Sequence, residues 1–222
     1  MSIQESLEAF RRQMPPGCTL VAVSKTQPPD KIKEAYACGQ RVFGENRAQE
    51  LAAKAEALPK DIEWHMIGHL QTNKIKYIAS FVSLIHSVDS LKLLEEIDRQ
   101  GRKAGRKISC LLQVHIAEEE TKFGFSGTEI SELVSSAPWS EWRHIQIKGL
   151  MGMATFTEDR QQVRREFRNL RTLYEELRSE KLPAAITMEE LSMGMSGDYP
   201  IALEEGSTMI RVGTAIFGQR NG

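Results

Sequence analysis

The feature that most restricts this chain is the regular alternation of short apolar runs with amphipathic helical patterns. Strand-like runs read at "TLVAVS" (19–24), "RVFGE" (41–45), "IEWHMIG" (62–68) and "FVSLIHSV" (81–88). Four more follow at "ISCLLQVHI" (108–116), "IQIKGLMGM" (145–153), "ELSMGM" (190–195) and "TMIRVG" (208–213). Most are continuous rather than alternating, as expected of parallel strands covered on both faces. Between them, Pro28 and Pro29 open a helical pattern through Ile32, Ala35 and Tyr36 that stops at Cys38-Gly39. Further helical patterns span 46–58, 69–79, 89–105, 126–136 and 159–180. The last repeats Val163, Phe167, Leu170, Tyr174 and Leu177 at three-four spacing. An amphipathic segment also precedes the first strand. Such βα alternation predicts a parallel sheet, and eight units in 222 residues suit a closed (β/α)8 TIM barrel with an extra N-terminal helix. An open doubly wound sheet is the alternative. No linker or low-complexity stretch divides the chain, so residues 1–222 are expected to form one domain.

Composition narrows the partners. Lys and Arg number 29 against 30 Asp and Glu, which gives no reason to expect a nucleic acid. No run approaches the roughly 20 apolar residues of a membrane span, and the N-terminus lacks the apolar core of a signal peptide. Three scattered cysteines, Cys18, Cys38 and Cys110, read as reduced thiols of a cytoplasmic protein. No large apolar patch stands out, and a monomer is the expected state.

Barrels of this type place their chemistry at the C-terminal ends of the strands. Lys25 stands there after strand one, where a neutral amine could form an imine with an aldehyde; an ordinary loop lysine is the plain alternative. Strands seven and eight usually supply a phosphate site. Here "LSMGMSGDYPIALEEG" brings Ser192 and Ser196 around Gly194, and "IRVGTAIFG" brings Gly213 and Thr214 before a short helical turn. Backbone N–H groups at such turns favour an anion, although serine and glycine are also ordinary turn residues. Arg211 lies two residues from Met209 on the same face of the last strand. A guanidinium inside a barrel requires an anion or acceptor, or else a buried carboxylate as its structural partner. A lysine, a phosphate cup and an arginine together suggest pyridoxal 5′-phosphate.

Other candidates stay plain. His65 and His69 have a helical ligand spacing, but His65 falls in a strand and no acidic or cysteine partner stands nearby, so no metal site is expected. The arginines of 164–178 alternate with glutamates and read as a solvated helix face. The nine methionines read as barrel filling and site lining. Walker, Rossmann and nucleophile-elbow patterns do not occur.

The stretches "VAVSKTQP", "FGENRAQE", "WHMIGHLQTNKIK", "SVDS", "KGLMGMA", "LSMGMSGD" and "IRVGTAIFG" occur in this order from residue 21 to 218. In them the chain resembles the pyridoxal phosphate homeostasis protein family, small proteins similar to the alanine racemase N-terminal domain. The resemblance implies one barrel without the additional β domain of true alanine racemases, and a cofactor Schiff base at Lys25. It implies phosphate contacts from Ser196, Gly213 and Thr214, with Ser192 as a further candidate. Arg211 would approach the pyridine nitrogen and Asn46 would line the ring pocket. One departure lies in "QVHIAEEETKFGF", where family members often carry asparagine at the position of His115 and serine near Thr121.

An arginine beside the ring nitrogen disfavours its protonation by like-charge repulsion, which makes the ring a poorer electron sink. A non-catalytic role is therefore expected, and the resemblance implies a carrier or regulator in vitamin B6 and amino-acid homeostasis that exchanges cofactor with apo-enzymes. A minimal amino-acid racemase and a phosphosugar aldolase are the competing readings.

Overall fold

The computed structural model describes residues 2–118 and 123–218, so Thr121 lies outside the described residues. Eight parallel strands close into a barrel in chain order. They are β1 (Thr19–Val23), β2 (Val42–Glu45), β3 (Glu63–Met66), β4 (Leu84–Val88), β5 (Ile108–Val114), β6 (Ile145–Gly152), β7 (Ile186–Ser192) and β8 (Met209–Val212). The ring is sealed by β1 and β8, which pair Thr19 with Met209 and Val21 with Arg211. The open-sheet alternative is excluded. Around the barrel run α1 (Ile3–Gln13), α2 (Pro29–Ala37), α3 (Ala48–Ala57), α4 (Leu91–Ala104), α5 (Gly127–Ser136) and α6 (Arg160–Ser179), then the short α7 (Tyr199–Glu204) and α8 (Thr214–Phe217). Among the described residues, no helix is long and apolar enough to cross a membrane.

Three elements differ from the sequence reading. Residues 72–77 form a 3₁₀ turn instead of an α-helix over 69–79. Its buried residue Ile75 and the capping Ile78 that follows it stand three apart, the spacing that a 3₁₀ turn stacks on one side. β7 begins at Ile186, four residues before the expected start. Glu189 and Glu190 masked it, yet Glu189 accepts from Lys148 Nζ at 2.8 Å and Glu190 from Thr208 Oγ1 at 2.6 Å. The same strand ends at Ser192, because Gly194 turns the chain with φ +96°. β5 likewise stops at Val114, leaving His115 beyond its end.

Strand alternation sorts the apolar residues into two cores. A large shell between sheet and helices holds Leu20, Ala22, Phe43, Ile85, Leu112, Phe167 and Ile210. A small separate cluster of Val21, Leu84, Leu111, Met151 and Met209 plugs the barrel interior, as layered inward side chains do in this fold. Two residues further along the same strands come His86, Gln113 and Arg211. The inside of the barrel thus changes from apolar to polar one layer below its mouth.

The N-terminal helix braces that mouth from outside. α1 opens with a reciprocal capping box, Ser2 Oγ accepting from Glu5 N at 3.2 Å and Glu5 Oε2 from Ser2 N at 2.7 Å. It buries Ile3, Leu7 and Phe10 and packs on α2 and α8. Phe10 meets Tyr199 edge-on at 5.0 Å between ring centroids. Leu7 is fully buried, so Leu7→Ala should lower stability by about 2–5 kcal/mol in urea unfolding; a loss below about 0.5 kcal/mol would mean that α1 is not docked.

Candidate functional site

At the C-terminal mouth lies a cavity of about 370 Å³, within the usual range of small-ligand sites. Lys25, Asn46, Ser196, Arg211, Gly213 and Thr214 all line it. Six of the seven residues singled out in the sequence therefore converge on one space. Lys25 lies two positions past Val23, the last residue of β1. Asn46 follows β2 directly and stands ahead of α3. Its place depends on Gly68, where a Cβ would meet the Asn46 backbone oxygen at 2.5 Å. Gly213 has a parallel role: a Cβ there would sit 3.1 Å from Val23 O, so its small size lets the end of β8 close against β1. Thr214 begins α8, and helix starts leave backbone N–H groups without partners inside the helix.

The remaining residue, Ser192, is placed differently. It is fully buried at the end of β7 and is not among the residues lining the cavity. Its hydroxyl accepts from Arg211 Nη1 at 2.6 Å and lies 3.0 Å from His86 Nδ1. Arg211 itself is only 4% exposed. Its second contact is Nη2 donating to Gly152 O at 3.0 Å. Both acceptors are neutral, so the buried-carboxylate alternative does not describe this arginine. Burial lowers its pKa to about 10, while the Asp198 carboxylate favours the charged form through space. The guanidinium is therefore a cation at the cavity floor.

Behind it stand two histidines: His86, which the sequence analysis did not single out, and His65, which it weighed only as a metal ligand. His86 Nε2 lies 3.0 Å from His65 Nδ1, and both rings are buried on neighbouring strands. Burial pushes His65 down to about 3. It also holds His86 far below its ordinary value, and repulsion from His65 and Arg211 adds to the effect. Both are neutral at physiological pH. Their shared inward parity in strands expected to face the barrel was the signal available in the sequence.

The turn carrying Lys25 has its own support. Thr26 adopts φ +63°, a left-handed conformation that a β-branched residue takes only when its surroundings impose it. Its N–H donates to Glu50 Oε1 at 2.7 Å. Lys54 Nζ donates to that same oxygen at 2.7 Å, to Glu45 Oε1 at 2.8 Å and to Ser24 O at 2.8 Å. Ser24 Oγ also donates to Glu45 at 2.6 Å. The residues on either side of Lys25 are thus tied to one buried ion cluster. Glu45 is fully buried and its Oε2 has no hydrogen-bond partner among the described residues; burial raises its pKa against the pull of Lys54.

At the same mouth, after β7, residues 195–198 form a closed turn, with Met195 N donating to Asp198 Oδ1 at 2.5 Å and Tyr199 N to Met195 O at 2.9 Å. The segment behind this turn is held by α6, whose arginines are more than a solvated face. Arg164 pairs with Glu204 and, at 2.9 Å, with Glu205, while Arg171 Nη1 donates to Gly206 O at 3.2 Å.

A parallel barrel whose single mouth joins a lysine, a buried arginine and a serine- and threonine-lined cup defines the class of protein. More particularly, the chain belongs to the "Alanine racemase, N-terminal domain" family, whose model matches residues 1–221. It is 43% identical over 202 residues to a pyridoxal phosphate homeostasis protein of Aquifex aeolicus, covering 90% of this chain and 86% of that one. A mouse protein of the same name is 37% identical, covering 99% of this chain and 83% of its own. Among solved structures, PipY of Synechococcus elongatus with PLP bound superposes with a TM-score of 0.86 at 40% identity, covering 98% of this chain and all of that one. An alanine racemase of Clostridium difficile, 13% identical, shares the fold with a TM-score of 0.76 over 56% of its length.

Two measurements test the electrostatics of the site. Lys54→Met leaves the Glu45 carboxylate buried without its cation and should cost about 3–5 kcal/mol in urea unfolding, with Glu45→Gln added to it recovering most of the loss. A fully stable Lys54→Met chain would remove the cluster from the support of the turn. The histidines give the fold an acid limit. Each is neutral when folded but charges in the unfolded chain below about pH 6.5, so the unfolded state binds more protons there. Stability should therefore fall as pH drops from 6.5 towards about 3, by up to about 1.4 kcal/mol per pH unit for each histidine. The slope should be shallower in His65→Gln; identical slopes would contradict the neutral assignment.

Proposed function

We infer that this chain binds pyridoxal 5′-phosphate and takes part in its cellular homeostasis. The observation that carries the reading is the convergence of Lys25, Arg211 and the Ser196–Thr214 cup on one cavity. These donors suit the cofactor's three polar groups. The Lys25 amine condenses with the aldehyde, releasing water, to hold the cofactor as a Schiff base. Ser196, Thr214 and the backbone at Gly213 take the phosphate. Arg211 faces the pyridine nitrogen, and Asn46 lines the ring.

The cofactor supplies an electron sink when its ring nitrogen is protonated. A guanidinium at that nitrogen works against protonation by charge repulsion, which favours storage and exchange over carbanion chemistry. Among the described residues, the cavity wall carries neither tyrosine nor histidine, the residue types the racemase reading calls for opposite Lys25. The chain on this reading is a monomeric cytoplasmic carrier that hands its cofactor to apo-enzymes through transient encounters.

The test is reduction with borohydride in the presence of pyridoxal phosphate, followed by peptide mapping. The native chain should be labelled at Lys25. Lys25→Ala should lose essentially all covalent label while keeping weaker, non-covalent binding through the cup. A label that persists on another lysine would reassign the amine. Deuterium exchange at the α-carbon of alanine that depends on Lys25 would establish the racemase instead.

A further inference from the structure

Arg211 is held from behind by a chain of buried side chains. From the cavity floor inward it runs through Ser192 Oγ at 2.6 Å, then His86 Nδ1 at 3.0 Å from Ser192, then His65 Nδ1 at 3.0 Å from His86 Nε2. Ser192 and His86 are completely buried and His65 is 4% exposed. None of the three lines the cavity, so none touches what the cavity holds.

The protons along the chain follow from its ends. A guanidinium only donates, so Ser192 Oγ is the acceptor in its bond with Arg211. The serine proton is then left in a fully buried position and needs an acceptor of its own. His86 Nδ1 meets that need, which places the His86 proton on Nε2, from which it is donated to His65 Nδ1. The opposite arrangement, with Nδ1 of each ring protonated, would leave the serine proton with no acceptor along the chain. The neutrality of both rings, enforced by burial, agrees with one proton per imidazole.

We propose that His65, His86 and Ser192 are positioning residues that orient Arg211 through a one-way hydrogen-bond chain while leaving its positive charge uncancelled. A carboxylate in the same place would hold the arginine as firmly but would neutralise it. Neutral dipoles aligned with their negative ends towards the guanidinium stabilise it, and successive bonds polarise one another. The cavity floor then presents a fixed, full cation to whatever lies above it. Resting on the pyridoxal phosphate reading, this makes the chain the device that keeps the ring nitrogen unprotonated and the cofactor in its storage form.

Two readouts on the full-length protein test the proposal, one with and one without cofactor. In apo protein carrying ¹⁵N-labelled histidine, long-range proton–nitrogen correlation should show His65 and His86 both protonated on Nε2 and bare on Nδ1. Protonation of His86 on Nδ1 would overturn the chain outright. In holo protein, His86→Leu removes the acceptor behind Ser192. It should weaken pyridoxal phosphate binding by up to about tenfold, the effect of losing one hydrogen bond between neutral groups, and shift the visible absorption band. His86→Asn can put an amide oxygen where Nδ1 stood and should restore both the band and most of the affinity. Equal behaviour of the Leu and Asn variants, or a Leu variant indistinguishable from native, would overturn the proposal. If His86→Leu does not fold, Ser192→Ala against Ser192→Thr makes the same comparison of a lost and a kept hydroxyl. Native protein that ignores pyridoxal phosphate yet shows the expected tautomers overturns the ligand reading alone and supports the chain.

Discussion

Everything at the mouth of this barrel depends on the parallel ladder between β1 and β8. Four register pairs, from Thr19 with Met209 to Ala22 with Val212, join the first strand to the last. Parallel neighbours advance together, so whatever follows β1 and whatever follows β8 must emerge on the same rim. That is why the amine of residue 25 and residues 213 and 214, the proposed anion cradle, share a cavity although nearly the whole chain separates them. An open sheet would have left these two strands unpaired with each other. Gly213 eases the closure, since a Cβ there would come within 3.1 Å of Val23 O, closer than side chains ordinarily pack.

Inside the ring, the period-two alternation of strands converts sequence into depth. Val21, Leu84, Leu111, Met151 and Met209 form a dry plug. The next inward residues on β4, β5 and β8 are His86, Gln113 and Arg211, all buried and all hydrogen-bonded. The plug keeps water from reaching this layer from below, which raises the energetic weight of each bond in it. An arginine so placed has to be satisfied by the protein on its inner side. Here neutral acceptors do this, and the charge remains directed at the cavity. A second polar assembly, Glu45 with Lys54 and Glu50, lies outside the barrel wall and holds the strained turn at Thr26. The two groups expected to contact the cofactor most directly, Lys25 and Arg211, are thus each fixed by a separate buried network.

Much of this was legible in the amino-acid pattern. Continuous apolar runs separated by helical stretches marked eight parallel strands, and most boundaries came within a few residues. Lys25, Ser196, Arg211, Gly213 and Thr214 were visible because each stands near or just beyond the end of a strand, where this fold puts its chemistry, and Asn46 only through the family resemblance. The exceptions have physical reasons. β7 was partly hidden by Glu189 and Glu190, whose charges are paired across the neighbouring strands. Ser192 resembled a cup residue because it sits beside Gly194, but strand parity turns it inward. The arginines of α6 looked solvated because helical spacing says nothing about Glu204 and Glu205, which arrive from α7.

By itself, then, the linear order of residues determined the number and type of elements, the closed arrangement they favour and the identity of most groups at the mouth. Those properties follow from local periodicity and from strand ends, which a sequence carries directly. Only the tertiary structure decided that His65, His86, Ser192 and Arg211 form one line, and that Lys54 joins Glu45 to Glu50 beneath the Lys25 turn. Hydrogen bonds between side chains as far as 106 positions apart depend on the rotation and register of whole strands. These are settled when the ring closes and the interior packs, and no stretch of sequence records them.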